Sequence, residues 1–148
     1  MTKRETSDKA TYVRRLPESA ILLHRSHYVM RWGDMDAFGH LNNAMYFTYF
    51  EQVRVDWLMS LGITHDLVLA NVSCTFLHPL RFPATIEVEL YGGPPGKHSM
   101  DSYYLLRNRD DGNTLCAIGH GAIVWYDHKN ACAIPVPSVV RESLNGVV

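Results

Sequence analysis

Ten residues, Asp34 to Asn43 (DMDAFGHLNN), hold two carboxylates, an imidazole, two carboxamides and a glycine. Part of the set has a plain structural use: Asp34, Asp36 and Gly39 suit a turn, and Asn42 or Asn43 suits the cap of a following helix. A turn needs only two or three such residues, so two acids, a histidine and a doubled asparagine ask for a further reason. Metal binding through Asp34 and Asp36 finds no further oxygen ligands nearby in an array. The alternative is catalytic. A carboxylate beside the amino end of a helix faces converging amide hydrogens and the positive end of the dipole. Those amides can stabilise an oxyanion on a bound carbonyl, while the carboxylate activates water or attacks the acyl carbon itself. The residue types thus point to acyl transfer or hydrolysis without choosing a substrate.

The flanking pattern says what must hold these groups. HRSHYVMRW (residues 24–32) alternates as a first strand does. From Ala44 to Leu61 the period changes: Tyr46, Tyr49, Phe50, Val53, Trp57 and Leu61 recur at steps of three and four and form one apolar stripe of a helix, which Gly62 ends. Phe47, Val55, Leu58 and Met59 lie off that stripe, which predicts cover on more than one side of the helix. Strands are expected over 71–82, bent or bulged at Pro79, and over 85–91, 99–109 and 114–126. RDDGN (109–113) is a hairpin turn between the last two, and PVPSVVRESL supplies a short final helix. Successive strands on short connections pair antiparallel, so the fold class is α+β, one sheet against one long helix. A single helix leaves the other sheet face or an edge uncovered, and a dimer answers that need.

The 148 residues, 47% hydrophobic, suffice for one domain with a real core but not for two. A formal charge of −1 gives no general attraction for nucleic acid or an anionic membrane. Cys74, Cys116 and Cys132 are odd in number and form no CxxC pair, which fits free thiols in a reducing cytoplasm. Residues 1–20 are polar and charged, an expected flexible arm ahead of a single domain at 21–148, with no apolar segment of signal or membrane-spanning length.

RWGDMDAFGHLNNAMYFTYFEQVRVDWL resembles the signature of hotdog-fold acyl-CoA thioesterases of the 4-hydroxybenzoyl-CoA thioesterase type. That pattern is roughly D-x-D-x-x-G-H-h-N-N followed by a helix containing Y-x-x-Y-F/L-E-x-x-R. Here it is met by Asp34, Asp36, Gly39, His40, Asn42, Asn43, Tyr46, Tyr49, Phe50, Glu51 and Arg54. VSCTFLHPLRFPATIEVEL and IVWYDHKNACAIPVP are also similar to the family, so the resemblance covers about 24–144. It implies an antiparallel sheet wrapped around one long central helix, and protomers that join their sheets as a homodimer, with a dimer of dimers as a further option. It implies hydrolysis of an acyl-CoA to free acid and CoA without a cofactor or metal. Asp36 would be nucleophile or general base, and the amide of Asn43 the oxyanion donor. Plant acyl-carrier-protein thioesterases have a related D-x-D-x-N-x-H-x-N-N run; Phe38 replaces its first asparagine here, so His40 is expected to polarise or position. An acyl carrier protein is the alternative carrier of the acyl group.

The resemblance also implies contacts to the nucleotide end of CoA, for which Lys97, His98 and Ser99 are candidates, with Arg81 behind them. Glu51, with Arg54 three positions on, is expected to have a structural role, as a pairing group at the sheet or dimer boundary, rather than acid–base work; an exposed i, i+3 pair would add only about a few tenths of a kcal/mol. Two rivals share the fold: an acyl thioester hydratase or dehydratase, and a non-catalytic acyl-CoA binding protein. No serine stands in a GxSxG setting, which removes the α/β-hydrolase reading.

Overall fold

The computed structural model describes residues 12–63 and 67–145. Strand β1 (Ile21–Val29) leads through a 3-10 turn (Trp32–Asp34) to helix α1 (Asn43–Ser60). Four long strands follow: β2 (Leu67–Phe76), β3 (Thr85–Gly92), β4 (Ser99–Asn108) and β5 (Thr114–Asp127). A two-residue β6 (Cys132–Ala133) and helix α2 (Ser138–Leu144) complete the order. The sheet is antiparallel in the order β1-β3-β4-β5-β2, with β6 on β5, and α1 packs its buried stripe into one core with it. This is the expected hotdog architecture.

The stripe on α1 buries Tyr46, Tyr49, Phe50, Val53 and Trp57 against Ile86, Val88, Leu90, Leu106, Ile123 and Trp125. Phe50 stacks on Tyr104 with ring centroids 4.7 Å apart, and Gly119 makes room: a Cβ there would collide with the Phe50 ring. The helix ends as its sequence predicts. Gly62 takes φ +72°, its amide bonds Met59 O at 3.1 Å, and Ile63 N bonds Leu58 O at 2.9 Å, a Schellman ending.

Several boundaries move. β1 begins earlier and stops at Val29, because the backbone turns into the 3-10 segment after Met30 has bonded Ala84 O at 2.9 Å. β2 ends at Phe76, so Pro79 lies in the following loop and not within a strand. β6, a hairpin return on β5, has no period to reveal it in so few residues. Off the stripe, Phe47 and Leu58 do pack against the core, but Val55 and Met59 stay exposed. Arg54 does not pair with Glu51. It turns inward and donates to the Tyr104 hydroxyl at 3.1 Å, with its guanidinium over that ring, while Glu51 points to solvent. The packing gain for the arginine stem beside an aromatic ring outweighs an exposed i, i+3 pair worth a few tenths of a kcal/mol. Of the expected arm, residues 1–11 lie outside the described residues; Val13 O accepts from the Thr75 hydroxyl of β2 at 2.6 Å.

Candidate active site

The acidic motif folds as a small closed loop clamped to the start of α1. Asp34 N bonds Arg31 O (3.1 Å) in the 3-10 turn, and Asn42 N bonds Asp34 O (2.9 Å). Between them Met35 and Leu41 form an isolated antiparallel bridge, and Asp36 N bonds His40 O at 2.8 Å. Gly39 closes the tip at φ +78°, a conformation that costs other residues energy. Leu41 N bonds Leu80 O at 2.7 Å, which ties the motif to the loop after β2.

The two aspartates have opposite surroundings. Asp34 is buried, with Oδ2 accepting from the Tyr49 hydroxyl (2.9 Å) and Oδ1 from Arg31 (3.2 Å). Burial first, and then the bond to Asp34, push the Tyr49 phenol far above its ordinary range, so it stays a donor. Asp36 is half-buried; its Oδ1 accepts from Phe38 N (2.9 Å), and its Oδ2 engages no protein donor among the described residues.

The helix start is similarly divided. Asn42 is the cap: its Oδ1 accepts from Ala44 N at 3.0 Å, and its backbone carbonyl accepts from Met45 N at 2.8 Å. The amide of Asn43 is left without an acceptor among the described residues, at the positive end of an 18-residue helix.

Asp36, His40 and Asn43 meet at a cleft of about 480 Å³, whose lining also includes Phe38, Leu41, Tyr46, Phe76, Leu77, His78 and Pro79. Tyr46 and Phe76 touch edge to face, centroids 4.9 Å apart, and join the helix wall to the β2 wall. The other candidates divide. Arg81 is exposed on the loop two residues past Pro79, which lines the cleft, but is not itself in the lining. Lys97, His98 and Ser99 are at the far end of the sheet. Ser99 pairs with Val124 and Phe76 with Ala117, seven residues apart along β5, about 23 Å. Within one protomer they do not share the cleft. His98 buries its Nδ1 without a partner among the described residues, and Arg141 of α2 donates to the Gly96 carbonyl at 2.5 Å. His78, on the β2 wall, received no role from the sequence; the dipeptide His-Pro at a strand end was its one signal. Among the described residues no cluster of three or more His, Cys, Asp or Glu side chains could hold a metal ion, and no helix is long and apolar enough to cross a membrane.

This fold and this cleft define a class, the hotdog thioesterases, and comparison with known proteins agrees. Residues 30–144 match the thioesterase-like superfamily, to which the chain belongs; it is a thioesterase. A solved structure of a candidate thioesterase from Pseudomonas aeruginosa is similar at 38% identity and a TM-score of 0.80, over 84% of this chain and 99% of that one. A candidate acyl-CoA thioesterase from Xanthomonas campestris is similar at 32% identity and a TM-score of 0.67, over 73% and 96%. The chloroplastic acyl-acyl carrier protein thioesterase ATL3 of Arabidopsis thaliana is 26% identical over 129 residues, 80% of this chain and 65% of the relative.

Proposed function

We propose that the cleft hydrolyses an acyl-CoA to free acid and CoA. The observation that carries the reading is the pairing of an uncommitted Asp36 Oδ2 with an uncommitted Asn43 amide in one cleft. The thioester carbonyl rests on that amide, where the helix dipole and the N–H favour the charge that develops on oxygen. Asp36 takes a proton from the attacking water, or adds to the acyl carbon and is then freed by water. His40, half-buried beside Asp36 with its ring in the cleft, orients the nucleophile. CoA is favoured as the carrier by the likeness to the Xanthomonas protein; an acyl carrier protein is the alternative that the Arabidopsis relative raises.

The cleft works best in a dimer. β2 is an edge strand, and Val72, Phe76 and Leu77 on or just past it are exposed. Antiparallel pairing of two β2 edges brings the start of the partner's strand to the end of this one. The partner's Lys97, the partner's His98 and the partner's Ser99, three strands over, then approach the cleft from the side where the nucleotide end of CoA emerges. Arg81 is the contact supplied from the same chain. The three unpaired cysteines fit a cytoplasmic location.

The oxyanion assignment has a direct test in Asn43→Pro. Proline is favoured at the first helical position, and Asn42 already has φ −58° and ψ 133°, which a following proline accepts. The variant loses the amide hydrogen together with the carboxamide, and Asn43→Ala loses the carboxamide alone. It is expected to keep the wild-type thermal midpoint while kcat for acyl-CoA falls about 10²–10³-fold; Asn43→Ala, which keeps the amide, should change little. Equal activity in the proline variant contradicts the assignment.

A further inference from the structure

The amides of Leu77 and His78 both donate to the carbonyl of Cys116, at 2.8 and 3.1 Å, so two residues past the end of β2 oppose one on β5. Pro79 follows, and a residue before proline is confined to extended conformations. The backbone that carries His78 is therefore fixed at the end of β2. His78 lines the cleft with its neighbours at the end of β2, while Asp36, His40 and Asn43 line the same cleft from the motif and the helix start. The residue is exposed, and its ring engages no protein group among the described residues. The remaining members of its wall, Phe76, Leu77 and Pro79, carry no ionisable group.

We infer that His78 is the proton donor to the departing thiolate, a role that rests on the hydrolase reading above. When water adds to the thioester carbon, the oxyanion lies on the Asn43 amide and the new carbon–oxygen bond lies on the Asp36 side. His40 belongs to that same side, since its carbonyl holds the Asp36 amide. The carbon–sulfur bond is then directed to the opposite, solvent-facing wall. As it breaks, sulfur takes the electron pair and a proton moves to it from a ring N–H of the His78 imidazolium. Thiol and neutral imidazole result. The proton that Asp36 took from water passes to solvent, and solvent returns one to His78.

The test compares two esters of one acyl group: the CoA ester, whose alkyl thiolate is basic and gains from a proton, and a nitrothiophenyl ester, whose thiolate leaves without one. Reading kcat removes the difference in binding of the two leaving groups. His78→Gln is expected to lose about 10²-fold in kcat on the CoA ester and nothing on the aryl thioester. His78→Lys, which can still donate a proton, should recover part of that loss. His40→Gln should slow both esters alike. Equal losses on the two esters in His78→Gln, or no loss on either, overturn the assignment. Two controls separate the levels: if Asp36→Asn abolishes both reactions while His78→Gln fails to discriminate, only the His78 role falls, and if the wild type releases no thiol from either ester, the hydrolase reading falls and takes this role with it.

Discussion

Two clefts of nearly equal size, about 480 and about 500 Å³, flank the first turns of α1, and each receives one aspartate of the Asp-Met-Asp run. In the larger, every carboxylate is engaged. Asp34 accepts from Arg31 and Tyr49; Asp56 accepts from Gln52 (3.1 Å) and from the Tyr28 hydroxyl. In the smaller, one oxygen of Asp36, the amide of Asn43 and the rings of His40 and His78 have no protein partner among the described residues. Volume does not tell the two apart; unspent hydrogen-bonding capacity does. A satisfied buried acid positions the chain, and a half-satisfied acid beside a free helix amide is equipped for chemistry.

The largest effect expected from this contrast is on rate. Asp36→Asn should lose about 10²–10⁴ in kcat on acyl-CoA, at an unchanged thermal midpoint. Asp34→Asn sharpens the comparison from the other side, because it removes the charge and replaces one of the two buried oxygens that serve Arg31 and Tyr49 with an amide donor. It should cost about 2 kcal/mol of stability, or roughly 4–8 °C in Tm, and differential scanning calorimetry would register it. Loss of the cap in Asn42→Ala should cost about 1 kcal/mol, and a chemical denaturation midpoint left unmoved would contradict the capping role.

A smaller effect concerns alkaline pH. Burial raises the phenols of Tyr28, Tyr49 and Tyr104 above their ordinary value. A group whose folded pKa is raised binds its proton more tightly when folded. The stability it contributes is complete below the unfolded value, about 10, and is lost as pH climbs from there through the folded value. The phenolate absorbance of these three should therefore rise late and together with unfolding; their smooth early titration in the folded protein would refute this. The smallest effect is on thiols. Burial pushes Cys74 up to about 12, and Cys116 is buried, whereas Cys132 is exposed. One label per native chain at pH 8, on Cys132, is the mass-spectrometric result expected.

What was legible in the residues and what was not follows from range. The helix, its asparagine cap and its Gly62 ending were readable because each is decided within a few positions by period, side-chain acceptor and positive φ. The clustering of Asp36, His40 and Asn43 was readable for the same reason: one loop of ten residues holds all three. Which carboxylate was spent was not, since that depends on Tyr49 reaching back fifteen residues to Asp34. His78 was missed because the end of β2 meets the helix start only in the folded sheet. Lys97 to Ser99 were joined to the site by resemblance to a family, and within this chain they lie at the far end of the sheet. The inward turn of Arg54 was not readable because nothing local reveals Tyr104, fifty residues on.

The central claim is that Asp36 carries the reaction and Asp34 carries the fold. Thiol release from a panel of short, long, branched and aromatic acyl-CoAs, measured for the wild type, Asp36→Asn and Asp34→Asn with thermal midpoints alongside, tests it most directly. The account predicts that Asp36→Asn stays as stable as the wild type and releases almost no thiol, while Asp34→Asn is less stable yet still turns over. A stable, active Asp36→Asn beside a stable, inactive Asp34→Asn would reverse the assignment.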